Sequence, residues 1–169
     1  MRRGEVEVVV DLDVWRDIPG DVPLELRDIY DAIAIRIPPN GVFVQVGVGY
    51  GAGLAYAIGR FVDHARGPVR SVAIDTWSHH DRSGALTSEE YERVTSHGDA
   101  FEACVKELGD HAQYVFGRVT LIREPCSVAI DLLPEKGVDA LVLPMSEYSE
   151  RGQRWHTRMR PEGTIYTCD

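Results

Sequence analysis

Three glycines in alternating positions, Gly47, Gly49 and Gly51, are the residues of this chain with the clearest chemical potential. They follow an apolar run typical of a buried strand, Val42–Val46, and a small-residue helix is predicted from Ala52 to about Phe61. Glycine reaches backbone conformations closed to other residues and lets a ligand lie against the main chain. The pattern therefore predicts a turn that holds a nucleotide-like cofactor, and the alternative is a tight turn without a ligand.

An acidic residue, Asp75, ends the next predicted strand. In two classes of cofactor-binding protein, an acid at this place accepts hydrogen bonds from ribose hydroxyls. The spacing Gly47-x-Gly49-x-x-Ala52 also fits the loose fingerprint of NAD-binding proteins, which by itself is weak evidence. Taken alone, Asp75 is equally consistent with a helix cap or a turn residue.

Four side chains are candidate proton acceptors for a reaction at this turn: His79, His80, Glu147 and Asp169. All four follow predicted strands, and ligands bind at the carboxyl edge of a parallel sheet. Paired histidines in a polar loop are more often simply exposed, and Glu147 also suits the first turn of a helix, where an acid is favourable. Cys168 is a weak candidate nucleophile because no histidine partner is evident in the sequence.

The composition narrows the class of protein. With 169 residues the chain is long enough for one domain with a good core, and its net charge of -9 argues against a nucleic-acid surface. Three widely separated cysteines indicate neither a disulfide framework nor a zinc site. Apolar runs are too short for a membrane span, so we expect a cytoplasmic protein without membrane contact.

Strands and helices alternate from residue 41 onward. Alternation of this kind predicts a parallel sheet with helices on both faces. We expect one domain over 1–169, with a lead-in over 1–40 and a cofactor-binding core over 41–169. The lead-in comprises a short strand or ordered arm at Val6–Val10 and a helix from about Asp21 to Arg36. The predicted later strands are Val69–Asp75, Val119–Ile122, Ala140–Leu143 and Thr164–Thr167, and the predicted later helices are Ser88–Val94, Ala100–Leu108, Ser127–Leu133 and Glu147–Arg158.

The combination of motifs resembles the class I S-adenosylmethionine-dependent methyltransferases, in particular the small methyltransferase domain 24 type. The segments that carry this resemblance are Val44–Gly51, Ala73–Trp77, Val119–Ile122 with Ser127, Val138–Leu143 and Arg160–Ile165, in the family's order over 28–169. The resemblance implies a Rossmann-like three-layer sandwich with strand order 3-2-1-4-5. It also implies S-adenosylmethionine as cofactor and S-adenosylhomocysteine as product.

The resemblance also implies residue roles. Gly47, Gly49 and Gly51 would face the methionine end of the cofactor, with Gln45 at the position that contacts its amino group. Asp75 would hold the ribose hydroxyls. The adenine would be bordered on one edge by Thr76 and Trp77 and on the other by Cys126 and Ser127, although ordinary packing explains Trp77 equally well.

The chain departs from the family pattern in three places. Gln45 replaces the usual acid, which keeps an acceptor oxygen but loses the charge. Pro144, Glu147 and Cys168-Asp169 stand near positions where relatives carry aspartate and histidine, and Pro and Cys supply no hard oxygen ligand, so no metal is expected. The chain ends without the family's C-terminal β-hairpin, through either natural abbreviation or truncation. We therefore expect a homodimer or a partner subunit to cover the edge of strand five.

The expected function is thus metal-independent methyl transfer from S-adenosylmethionine to a small-molecule acceptor. A catalytically degenerate binding or regulatory module of the same fold is the alternative, and an NAD-binding Rossmann protein is the third interpretation.

Overall fold

The computed structural model describes residues 12–78, 86–112 and 119–169. Within these ranges the chain forms one five-stranded sheet, whose strands are parallel wherever they pair. Its strands are β1 (Val42–Val46), β2 (Arg70–Asp75), β3 (Val119–Arg123), β4 (Val138–Pro144) and β5 (Met159–Cys168). The order β3-β2-β1-β4-β5 confirms the predicted topology.

The order of the strands places the chain reversal between β1 and β4. The chain moves outward from β1 through β2 to β3, and then returns to the other side of β1 with β4 and β5. Crevices at such a switch point, outside the carboxyl ends of the strands, are where open α/β sheets bind ligands. The glycine turn leaves the carboxyl end of β1, so the topology puts it at this place.

Six α-helices cover the sheet in the described ranges. They are α1 (Leu24–Arg36), α2 (Ala52–His64), α3 (Ser88–Thr95), α4 (Ala100–His111), α5 (Cys126–Leu132) and α6 (Met145–Arg158), and a short 3₁₀ helix at Val14–Asp17 precedes them. Every helix predicted from the sequence is present, with ends shifted by three residues or fewer, whereas the 3₁₀ helix was not foreseen. The strand or arm expected at Val6–Val10 lies outside the described residues.

The helices form two layers because successive strand side chains point to opposite faces of the sheet. Phe43 of β1 packs in one core with α1, α2 and α4, while its neighbour Val44 packs in a second core with α5 and α6. Both residues are fully buried, which explains the continuous apolar run of β1. The predicted three-layer sandwich is confirmed.

Two helix starts carry reciprocal caps that the sequence encodes locally. Thr87 and Glu90 exchange side-chain-to-backbone hydrogen bonds at the start of α3, and Asp99 and Glu102 do the same at α4. Each pair satisfies two of the backbone N–H groups that a helix start leaves unpaired.

Strand β5 differs from its prediction. It begins at Met159 rather than Thr164, because residues 159–163, which precede the predicted strand, also belong to it. Val138 pairs with Met159, but Ala140 pairs with Thr164, so residues 160–163 bulge out of register. A Cβ at Gly163 would lie 2.8 Å from the Val138 carbonyl oxygen, so this close approach requires glycine.

Within the described part of the chain, strand β5 pairs with β4 alone and stands at the edge of the sheet. The homodimer or partner subunit expected to cover this edge stays a prediction. None of the helices in the described part of the chain has the length and apolar character needed to cross a membrane.

Candidate cofactor-binding site

The glycine turn adopts backbone conformations that explain its composition. Gly47, Gly49 and Gly51 have φ values of 81°, 57° and 99°. A Cβ at Gly51 would lie 2.7 Å from the Leu108 side chain, so this glycine lets α4 pack against the turn. Among the described residues, and leaving out chain neighbours, no atom lies within 4 Å of the Gly49 Cβ position, and at Gly47 only Pro144 does, at 3.8 Å. Two of the three glycines therefore leave open space beside the main chain, as a ligand resting on the turn requires.

The Asp75 carboxylate holds the turn in place. Its Oδ2 accepts hydrogen bonds from the backbone N–H groups of Val48 at 2.8 Å and Gly49 at 3.1 Å. Its Oδ1 accepts a third from the Trp77 N–H at 2.9 Å. An ionised carboxylate offers about four acceptor positions, so roughly one remains for a ribose hydroxyl. Asp75 thus stabilises the glycine turn, a role that the sequence did not reveal. Its contact with the ribose stays a prediction.

Trp77 also binds the turn. Its indole Nε1–H donates to the Gly49 carbonyl oxygen at 2.8 Å, and its ring packs edge-on against Phe101 at a centroid distance of 4.9 Å. The residue is 3% exposed, and its φ of 50° is rare for a residue with a side chain. Packing, which the sequence left as the equal alternative, describes Trp77 in this structure. Its predicted stacking on adenine stays a prediction.

The other residues assigned to the adenine lie near this edge of the sheet. Thr76 follows β2, and its hydroxyl is 2.7 Å from the Ser78 hydroxyl. Cys126 begins α5 just beyond β3 and is partly buried against the second core, whereas Ser127 is exposed. Burial and, to a lesser extent, the Glu147 charge raise the pKa of the Cys126 thiol to about 11, so it is a neutral thiol near pH 7.

Gln45 lies beneath the turn, on the β1 face that points to α1 and α2. Its Nε2–H donates to the Gly47 carbonyl oxygen at 3.1 Å. The side chain is 4% exposed, and its Oε1 has no hydrogen-bond partner among the described residues. Because buried polar atoms are nearly always paired, this orphaned acceptor indicates a missing hydrogen-bond donor. It fits the predicted contact with the cofactor's amino group.

A second buried atom without a hydrogen-bond partner among the described residues, the hydroxyl of Tyr30, lies near Gln45. Tyr30 was not among the predicted site residues. The Tyr30 hydroxyl of α1 is buried and has no partner in the described ranges. A Cβ at Gly53 would be 3.3 Å from this hydroxyl and 3.6 Å from Gln45 Nε2. The spacing of apolar residues along α1 is consistent with a buried Tyr30. No sequence signal indicated that its hydroxyl would lie near the Gln45 side chain.

The structure separates the candidate proton acceptors. His79 and His80 lie outside the described residues. Asp169 is exposed after β5. Glu147 bonds two side chains of its own helix, α6. Its Oε1 accepts from Trp155 Nε1–H at 2.9 Å, and its Oε2 accepts from Arg151 at 2.6 Å. Both oxygens of Glu147 thus already accept hydrogen bonds from side chains of its own helix, and its candidate catalytic role stays a prediction.

Pro144 and Cys168 stand at two strand ends where the family resemblance leads us to expect polar side chains. Pro144 ends β4 and lies against the Gly47 turn, and the Cys168 thiol faces the Leu143 carbonyl oxygen at 3.7 Å. Burial raises the pKa of Cys168, which opposes a nucleophilic role. Within 12–78, 86–112 and 119–169, no three His, Cys, Asp or Glu side chains converge as metal ligands do. Independence from metal stays a prediction.

Two clefts lie at the opposite, amino-terminal edge of the sheet. One of about 620 Å³ opens beside the first residues of β1, β2 and β3, and another of about 300 Å³ lies beside Asp139 and Thr164. Neither contains a residue that the sequence analysis assigned to chemistry.

Comparison with solved structures places this architecture. A Corynebacterium glutamicum protein superposes with a TM-score of 0.59 at 12% identity, over 94% of this chain and 67% of its own. A SAM-dependent O-methyltransferase from Thermotoga maritima gives 0.55 at 15% identity, over 86% and 44%. A SAM-dependent methyltransferase from Thiobacillus denitrificans, in complex with S-adenosyl-L-homocysteine, gives 0.50 at 14% identity, over 90% and 52%. This is the class I methyltransferase fold.

The similarity resides in the fold, since these identities are far below those of close relatives. No protein-family model and no curated protein sequence matches the chain. The chain spans between 44% and 67% of the lengths of the three superposed structures. The predicted fold and resemblance are confirmed, and the activity has to be argued from the site itself.

Proposed function

We propose that this chain binds S-adenosylmethionine at the glycine turn and transfers its methyl group to a small-molecule acceptor without a metal. The conformation of Gly49 carries the proposal. Its φ is positive, the space at its Cβ position is open, and its N–H is fastened to the carboxylate at the end of β2. A turn held open in this way favours a ligand that lies against the main chain.

The chain's own groups divide the work of binding. When bound, S-adenosylmethionine supplies an electrophilic methyl group on a sulfonium centre. The open main chain beside Gly47 and Gly49 accommodates the cofactor, the Asp75 carboxylate offers its remaining acceptor position to a ribose hydroxyl, and Gln45 Oε1 accepts an N–H. Methyl transfer is an in-line displacement, for which alignment of the two reactants is the main contribution of the protein.

Two further parts of the proposal rest on side-chain chemistry. Pro144 and Cys168 occupy the strand ends that would otherwise supply hard oxygen ligands, which supports a metal-independent reaction. The net charge of -9 disfavours a nucleic-acid acceptor and is compatible with a small molecule.

The alternative is a binding or regulatory module of the same fold that has lost turnover. The engagement of Glu147 with Arg151 and Trp155 favours it, because this occupies both oxygens of one candidate base. The two functions differ in one measurable product. Under the enzyme proposal, incubation with S-adenosylmethionine and a suitable small-molecule acceptor produces S-adenosylhomocysteine. The binding module binds S-adenosylmethionine but produces no S-adenosylhomocysteine.

Isothermal titration calorimetry with S-adenosylhomocysteine tests the binding step. Gly49→Ala places a methyl group in the open space on the turn, and we expect affinity to fall at least tenfold. The substitution itself costs about 1–2 kcal/mol of folding free energy because the residue keeps a positive φ. The matched control is Gly20→Ala, because Gly20 also has a positive φ, of 105°, and no described atom lies within 4 Å of its Cβ position. Gly20 is far along the chain from the turn. The control variant carries comparable strain and should bind as the unmodified protein does.

The outcomes separate the three interpretations. Binding that weakens in Gly49→Ala and is unchanged in Gly20→Ala supports the proposal. Heat with NAD and none with S-adenosylhomocysteine would assign the chain to the NAD-binding proteins instead. Equal weakening in both variants would mean that loss of stability, rather than a blocked site, caused the effect.

A further inference from the structure

Two buried polar atoms beneath the glycine turn have no hydrogen-bond partner among the described residues, the Tyr30 hydroxyl and Gln45 Oε1. Tyr30 is 0% exposed and Gln45 is 4% exposed. The Tyr30 hydroxyl lies 3.3 Å from the Cβ position of Gly53, and Gln45 Nε2, which shares its amide group with Oε1, lies 3.6 Å from the same point. Burying one unpaired polar atom is costly, and two at one place indicate a site for a polar group that is not part of the chain's own fold.

Their position links them to the turn. Gln45 is the second-last residue of β1, and its Nε2–H already donates to Gly47 in the turn. Gly53 lies in the first turn of α2, where no side chain in the described ranges caps the helix. The Tyr30 hydroxyl and Gln45 Oε1 therefore lie at the end of the turn where the methionine part of the cofactor is expected.

The chemistry of the two atoms is complementary. Gln45 Oε1 can only accept, so it requires an N–H or O–H donor. Burial, followed by the charge of Cys168, raises the pKa of Tyr30, which keeps its hydroxyl protonated and able to donate. One obligate acceptor beside one available donor matches an α-amino acid zwitterion, which presents an ammonium group and a carboxylate together.

We propose that Tyr30 binds the α-carboxylate of the cofactor's amino acid end, while Gln45 Oε1 accepts from the adjacent ammonium group. Tyr30 thereby becomes a specificity residue that distinguishes S-adenosylmethionine and S-adenosylhomocysteine from nucleosides without an amino acid. This inference rests on the proposed function. The absence of a charge at Gln45 makes the Tyr30 contact more important, because a neutral amide supplies a weaker bond to ammonium than a carboxylate would.

The test compares two ligands that share the adenosine part. S-adenosylhomocysteine carries the amino acid, and 5′-methylthioadenosine lacks it. We expect Tyr30→Phe to weaken S-adenosylhomocysteine binding about 10- to 100-fold by calorimetry, the usual effect of losing a hydrogen bond to a charged group. Binding of 5′-methylthioadenosine should change by less than about twofold. The matched control is Tyr56→Phe, because the Tyr56 ring lies 6.1 Å from the Tyr30 ring but its hydroxyl bonds the Asp31 carboxylate at 3.1 Å. Both affinities should remain unchanged in this control.

A second readout needs no ligand. Because the Tyr30 hydroxyl has no hydrogen-bond partner among the described residues, Tyr30→Phe should leave the melting temperature unchanged or raise it. A lower melting temperature would overturn the inference by showing that the hydroxyl has a structural partner, such as a buried water.

The remaining outcomes are distinct. If the unmodified protein binds neither ligand, the proposed function fails, and this inference fails with it. If it binds both and Tyr30→Phe binds both equally well, the proposed function stands and the role of Tyr30 is refuted. Equal weakening of both ligands also refutes it, because the hydroxyl would then act through the turn rather than on the amino acid.

Discussion

Replacement of Asp75 by alanine tests whether one carboxylate holds the glycine turn. The substitution removes the acceptor of three backbone N–H groups, those of Val48, Gly49 and Trp77. Hydrogen bonds to a charged group contribute about 1.5–3 kcal/mol each to stability. The Gly49 bond is exposed, so water replaces the carboxylate there, while the other two are partly buried. We therefore expect Asp75→Ala to lower the free energy of unfolding by about 2–4 kcal/mol, below the simple sum because water also reaches part of those two sites.

Asp75→Asn refines this expectation because it preserves the shape of the side chain. The amide oxygen can still accept from Val48 and Gly49, but the amide NH₂ then faces the Trp77 N–H, another donor. One hydrogen bond is lost and two become neutral, so we expect a loss of about 1–2 kcal/mol, between the unmodified protein and Asp75→Ala.

Urea unfolding followed by circular dichroism measures these differences, and hydrogen exchange of the Val48 and Gly49 amides locates them. The control is Asp110→Ala, which removes an exposed carboxylate that pairs with Lys106 on the surface of α4 and should leave the free energy of unfolding nearly unchanged. If Asp75→Ala costs no more than this control, and the two amides exchange as before, the carboxylate does not hold the turn and the reasoning is refuted.

The remaining predictions concern the second core and the thiol beside it. Glu147→Gln should destabilise the chain by about 1–2 kcal/mol in urea unfolding, because the bond to the partly buried Arg151 becomes neutral while Arg151 keeps Glu150 as a charged partner. No measurable loss would contradict the structural assignment. Cys126, with its pKa raised to about 11, should react with iodoacetamide at pH 8 about 100-fold more slowly than a free thiol. Its rate should rise about tenfold per pH unit from pH 8 to 10, since the thiolate fraction rises in that proportion, and a plateau below pH 9 would contradict the raised pKa.

Most of the fold follows from local signals in the sequence. The β1 segment is predicted at Val42–Val46 and observed there, because an apolar β-branched run bounded by glycine and proline has few alternative structures. The helix starts at Thr87 and Asp99 are encoded by side chains that cap their own backbone three residues away. Sheet order is not a local property, and it was correct because the family resemblance supplied it.

The local signals are weakest where the chain departs from regular pairing. Strand β5 was predicted to begin at Thr164, yet it begins at Met159, and residues 160–163 bulge within it. Pro161 and Gly163 suit a stretch before the strand as well as a bulge within it, and the close approach of Gly163 to the Val138 carbonyl oxygen decides between them. That approach depends on a strand more than 20 residues earlier in the chain.

The sequence by itself determined that the chain has a glycine turn after β1 and an acid after β2, since spacing and residue type suffice for both. Only the tertiary structure decided what their side chains and neighbours do. Asp75 binds the turn, Trp77 is buried beneath it, and Glu147 pairs with Arg151 inside its own helix. The orphaned hydroxyl of Tyr30 beside Gln45 is the clearest case. Hydrogen-bond partners are set by the packing of separate elements in space, and sequence periodicity carries information about burial but none about which buried atoms meet.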